Sequence, residues 1–334
     1  MANNSKIIIK KAHIIRRIKE NLEGYAYLTP AGIILFIFWA FPVLMSICMS
    51  FTNWKGGDSF KDVRLVGFTN YLRALNDEDF IQVLWNTLNY VIYSVPITLF
   101  LALFIAILLH SQIKLKGFFR TVYFLPFVTT WVAISIVWKY FFHREFGLAN
   151  FFLDSIHTGL RLEWLSEPRG IWEMILAPLG INLKHPLLAG PSLAMFSIII
   201  TSVWRDVGYY MIIFLAGLQN IDRSYYEAAE IDGANGWQRF KTITIPLLSP
   251  VTFFLLIISM ISAFKMFVPV LVMTATGGPD NTTSTIVFYL YQKGFRGLWL
   301  MGYASAIAYI LFIIILCLTF IQNFVFGRKV HYGE

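Results

Sequence analysis

The sequence predicts an all-α, polytopic membrane protein with six transmembrane helices. Composition is the first reason: of 334 residues 57% are hydrophobic and only 14% charged, where a soluble chain carries roughly 25%. The second is that the apolar residues gather into stretches of about 20 or more, the length of helix that crosses a bilayer. The third is backbone chemistry. Hydrocarbon offers an amide no partner, so each stretch must bond within itself as a helix, and the alternating pattern of a membrane barrel is missing from the sequence.

Segment 1–26 is basic, with Lys6, Lys10, Lys11, Arg16, Arg17 and Lys19, and is expected in the cytoplasm. Span one, about Tyr27–Phe51, reads as a retained signal-anchor helix. Its apolar run exceeds the 7–15 residues of a signal-peptide core, and no A-x-A cleavage site follows. The outer loop 52–84 is largely polar, with Gly56-Gly57 and the acidic run Asp77-Glu78-Asp79. That shift sets a peripheral first helix, 27–51, apart from a core domain over 85–326. The core holds spans at about Trp85–His110, Thr121–Phe142, Pro191–Leu218, Leu247–Met273 and Met301–Phe326, and a tail follows at 327–334. The long outer loop His143–Gly190, with Trp164, Pro168, Trp172 and Pro178, is expected to include short interfacial helices.

Orientation follows from Lys and Arg, which concentrate on the cytoplasmic side. With the N-terminus inside, the inner segments carry them at a clearly higher density than the outer loops. The short turn Ser111–Arg120 is the plainest case, with Lys114, Lys116 and Arg120 and no acid. Both termini and the loop 219–246 are therefore placed in the cytoplasm. Most of the net charge of +8 comes from the inner segments, and it calls for no nucleic-acid partner. Cys48 and Cys317 fall within apolar spans and read as small packing residues.

Loop 219–246 carries the most specific pattern. Glu227-Ala228-Ala229 is followed by Asp232-Gly233 and, nine residues on, by Ile243-Thr244-Ile245-Pro246. Ser224 to Glu227 fits a capping box, so a helix is expected after Ser224, with Glu227 near its positive end. Gly233 permits a turn that a Cβ would resist. A second helix, about Trp237–Ile243, leads to Pro246 at the start of span five.

This pattern resembles the coupling loop of the membrane subunits of ATP-binding-cassette importers, with Ile245 where the family usually has Leu. Gly67-Phe68-Thr69-Asn70-Tyr71, Arg120 to Pro126, Leu215 to Ile221, Gly277-Gly278-Pro279 and Ala304-Ser305-Ala306 extend the likeness over about Tyr27 to Phe326. It is similar to the carbohydrate-uptake permeases of the maltose and glycerol-3-phosphate type, without the extra outer domain of the enterobacterial maltose permease. The resemblance implies a type I importer permease fold in the bacterial inner (plasma) membrane. It implies a second homologous permease forming a heterodimer, two cytoplasmic ATPases and an external solute-binding protein. No G-x-x-x-x-G-K-[ST] loop is present, so no cofactor is expected on this chain, and ATP and Mg are expected on the partner ATPase. No set of residues suggests chemistry on a substrate, so the chain is read as a permease and not an enzyme.

For the substrate path, charged residues within spans are the starting point, because they usually face a cavity or a partner. Asp206 lies beside Arg205 in span four, and Lys265 lies well inside span five. An internal Lys265–Asp206 ion pair and a role in the pathway are both open. Tyr209 and Tyr210 supply flat faces and hydroxyls suited to a sugar, and Met266 and Trp204 are candidate wall residues. The resemblance places a substrate-contacting tyrosine in this region. An anionic or sugar-phosphate permease is the alternative within the class. An ion-coupled secondary transporter would show inverted repeats and a channel repeated polar rings, and neither is evident.

Overall fold

The computed structural model describes residues 21–327 apart from 22, 60, 112–113, 157–160, 182, 184–185, 298 and 326. The basic segment through Glu20 and the tail from Arg328 lie outside the described residues, as do the expectations attached to them. Among the described residues the chain is helical, with only two isolated bridges, Thr52 to Leu65 and Gly170 to Ser192.

The first hydrophobic stretch forms α1, Glu23–Ser50. Within it the Phe41 N–H reaches back five residues to the Phe36 carbonyl. Pro42 follows; it has no N–H, and its ring crowds the preceding turn, so the helix widens there. The short α2, Thr69–Leu75, leads into α3, Glu78–His110. That helix starts before the expected Trp85, because Glu78 and Asp79 suit its positive end.

Span three is the main departure from the sequence expectation. It is two helices, α4 Lys116–Val128 and α5 Trp131–Phe141, bent by 97°. Pro126 removes a donor inside α4, and Thr129 and Thr130 are extended, with ψ of 143° and 142°. The carbonyls freed by the break need other partners at membrane depth. Thr129 Oγ1 donates to the Leu125 carbonyl at 3.1 Å, and Arg205 Nη2 donates to that of Phe127 at 3.1 Å. The next loop holds α6, Leu148–Ser155, and α7, Ile171–Leu176.

Helix α8, Leu193–Gln219, starts at Ser192, whose Oγ accepts the Met195 N–H. It packs on α3 and α4 and is largely buried. Gly208 makes the second contact possible: a Cβ there would lie 1.8 Å from the Tyr123 carbonyl oxygen. The chain continues through α9, Arg223–Ile231, and α10, Gly236–Leu247, to α11, Ser249–Phe264, which is bent from α10 by 62°. The expected span five, Leu247–Met273, thus ends its regular helix early. Pro269 cannot donate to the Lys265 carbonyl four residues back, so Lys265 stands at the helix end and not well inside it. A π turn at Val270–Thr274 follows.

Helix α12, Ile286–Phe295, precedes the last span, α13, Met301–Val325. Asp77 gathers these pieces at one end of the bundle, its Oδ2 accepting the hydroxyls of Tyr289 and Tyr303 at 2.7 Å each. Burial pushes its carboxyl up, but those two hydrogen bonds and nearby Lys293 outweigh it and hold the group below its ordinary value. Helix α1 lies against α13, with Tyr309 donating to the Val43 carbonyl at 2.8 Å.

Candidate functional site

Helices α3 and α8, the α4–α5 joint and the end of α11 line a half-open cavity of about 320 Å³. On α3 its wall runs from Tyr90 to Thr98. Tyr90 is as far along the helix from Glu78 as Thr98 is from His110, so the cavity sits near mid-depth of the bundle. Tyr209, Tyr210, Asp206, Lys265 and Met266 all line it.

Of the two readings left open for Lys265 and Asp206, the ion pair between them does not form in this wall. Asp206 Oδ1 instead accepts from Arg205 Nη1 at 2.6 Å, the nearer cation along the chain. The same guanidinium lies over the rings of Trp131 and Phe127, 4.1 and 4.8 Å from their centroids. Arg205 therefore ties the break in span three to the cavity wall. Tyr209 is stacked on Phe127, with centroids 4.3 Å apart and planes 11° apart, leaving one ring face uncovered by that contact. Tyr210 is 5% exposed and meets Tyr209 edge-on. Trp204 lies outside this lining and packs edge-on against Trp138. Sequence reasoning missed Phe127 and Trp131, although the Pro126, Thr129 and Thr130 cluster was a signal that the helix breaks between them.

A second constellation lies where the loop 219–246 folds back. Helix α9 starts two residues before its expected place, because Asp222 and not Ser224 caps it: Asp222 Oδ1 accepts the Ser224 N–H at 2.8 Å. That bond holds the Asp222 carboxyl below its ordinary value. Glu227 is consequently a turn into the helix, where Arg223 lies 3.3 Å away. Ala228 and Ala229 follow on α9, Asp232 is its C-cap, and Gly233 takes a φ of 77°. Asn235 then caps α10 through a reciprocal pair with Gln238, at 2.9 and 2.7 Å.

Ile243 lies in a widened turn in which the Ile245 N–H reaches the Phe240 carbonyl. Pro246 explains that turn as Pro42 does in α1. It sits near the end of α10, so the start of span five falls after the bend and not at Pro246. Arg239 pairs with Glu230, and the Tyr226 and Thr244 hydroxyls are 2.9 Å apart; together they clamp α9 on α10. A cavity of about 630 Å³ behind the loop is also lined by Ile107 and His110. The loop therefore shares an end of the bundle with the turn after α3. Ile231 and Trp237 are 87% and 69% exposed there, an apolar surface that the sequence reading did not single out.

Residues 71–331 match the family described as binding-protein-dependent transport system inner membrane component. The lactose transport system permease protein LacF of Rhizobium radiobacter is 34% identical over 324 residues, 96% of this chain and 97% of that protein. The arabinooligosaccharides transport system permease protein AraP of Bacillus subtilis is 33% identical over 300 residues, 89% of this chain and 86% of its own length. Among solved structures, a chain of a bacterial alginate ABC transporter, crystallised with an alginate pentasaccharide-bound periplasmic protein, superposes with a TM-score of 0.73. It is 23% identical, and the match covers 96% of this chain and 99% of that one.

Proposed function

The chain belongs to the family of binding-protein-dependent transport system inner membrane components, and from that premise we propose that it forms half of a path for an oligosaccharide. It is a multi-pass permease subunit of an ATP-binding-cassette importer. Under this proposal the mid-depth cavity receives a sugar from an external binding protein and faces a second, homologous permease. Tyr209, which lines the cavity, meets a sugar ring there, Asp206 and Lys265 face polar groups, and Met266 closes the apolar wall. Both termini and the loop 219–246 lie in the cytoplasm, where the loop docks on one of two ATPases that bind ATP and Mg.

The observation that carries the reading is continuity. Helix α8 runs from the cavity into the loop, and α10 and α11 run from the loop back to the cavity. Movement at the ATPase can thereby reach the substrate. The relatives named for lactose and arabinooligosaccharides support a saccharide.

The turn at Gly233 is the point to test. Nothing lies within 4 Å of a Cβ built there, so Gly233→Val introduces no clash and acts on the backbone. At a φ of 77°, a β-branched residue costs about 1–3 kcal/mol. The complete importer carrying Gly233→Val should assemble, yet lose most uptake and the stimulation of ATP hydrolysis by loaded binding protein. Parental uptake with parental stimulation would rule out docking through this turn.

A further inference from the structure

Three charged side chains line the mid-depth cavity, and two of them cancel. Arg205 and Asp206 pair at 2.6 Å; Nη2 of the guanidinium goes to the Phe127 carbonyl and its plane lies over two aromatic rings, while its Nε is buried and unpaired. Lys265 is left over. Among the described residues no carboxylate pairs with it, and its ammonium has no hydrogen-bond acceptor. The negative end of α11 offsets part of the cost of a cation there, but an ammonium at membrane depth still calls for water or an anion.

Resting on the translocation reading above, we infer that the saccharide taken by this cavity carries a carboxylate, as a uronate does, and that Lys265 is its counter-ion. Tyr209 meets the ring while the ammonium takes the acid. A phosphate is the poorer match, because it carries about −1.5 to −2 charge near neutral pH and one ammonium neutralises only a single charge.

The test uses the complete importer in proteoliposomes, with its binding protein saturated by each probe. The probes are trigalacturonate, its methyl ester, galactotriose and glucose 6-phosphate. The free acid should be taken up fastest. Lys265→Met should slow it by about tenfold or more, the range for removing one partner of a close charge pair. The methyl ester should change by less than about twofold, and Lys265→Arg should keep most of the acid uptake.

If the parental importer carries galactotriose or the ester and rejects the acid, this inference fails and the saccharide path stands. Preference for glucose 6-phosphate also overturns it. Equal losses for acid and ester in Lys265→Met would give Lys265 a packing role in place of the one inferred. Uptake of none of the saccharides would overturn the underlying reading as well. The parental preference decides even if a variant fails to assemble.

Discussion

Replacing Gly208 by Ala should force α8 away from α4, the first half of the broken span three. A Cβ at this position lies 1.8 Å from the Tyr123 carbonyl oxygen and 2.5 Å from its carbon. Real Cβ contacts do not fall below 3.0 Å, so α4 and α8 must separate by the difference. The obstacle is backbone and cannot rotate away. Overpacking of this kind costs about 1–3 kcal/mol, and a backbone clash belongs at the upper end. The better helix propensity of Ala returns about 1 kcal/mol, so the expected net loss is about 2 kcal/mol. Function should suffer more than stability, because Tyr209 is the next residue and its 4.3 Å stacking on Phe127 spans the same two helices. Unfolding midpoints of the purified complex and initial uptake rates give the two readouts. Gly32→Ala is the control, since nothing lies within 4 Å of its Cβ. Parental midpoint and uptake in Gly208→Ala would refute the close helix contact on which this argument depends.

Arg205→Met leaves Asp206 without its partner and the Phe127 carbonyl without its donor. Breaking a fully buried ion pair costs about 3–5 kcal/mol; this partly buried pair should cost less than that, and the double change Arg205→Met with Asp206→Asn should recover part of it in the same unfolding assay. Asp77 makes a pH-dependent case at the other end of the bundle. Its folded carboxyl is held below the ordinary value of 3.8, so its contribution is complete above that value and is lost as the pH falls through the lowered one. The midpoint difference between parent and Asp77→Asn should therefore stay level from neutral pH to about 4 and close only below it; a difference that closes between pH 7 and 5 would contradict the two-tyrosine clamp.

Much of the fold was legible because burial in hydrocarbon imposes a simple rule, a continuous apolar helix, on most of the chain. That rule failed where prolines act. Hydropathy counts Pro126 and Pro269 as unremarkable members of an apolar run, yet each deprives a carbonyl of its donor. The chain then breaks at Thr129–Thr130 and at Lys265. The loop pattern from Glu227 to Pro246 placed a turn at Gly233 and two helices around it, but it missed which residue caps them. Asp222 and Ser224 are both competent caps by type, and sequence alone does not say whose side chain reaches an amide. For the cavity, polarity within spans pointed to residues that the fold brings together. It left open whether Lys265 pairs with Asp206, and Arg205, adjacent to that carboxylate along α8, takes it instead.

The two breaks also account for where the cavity lies. A straight span three would bring its side chains past α8 along its whole length. Bending it by 97° turns Trp131 and Phe127 toward α8 from opposite sides of the joint. Span five does the complementary thing: α11 stops at Lys265, and the loop Met266–Pro269 forms the rest of the wall. Non-helical backbone at membrane depth is tolerated only where protein or a water-filled cavity surrounds it, so breaks and cavity require each other. Arg205 is the residue that stabilises this arrangement, since it serves a freed carbonyl and a wall carboxylate at once. Any motion that carries α8 relative to α4 must therefore break or drag this one guanidinium, which joins the loop-bearing helix to the joint of span three.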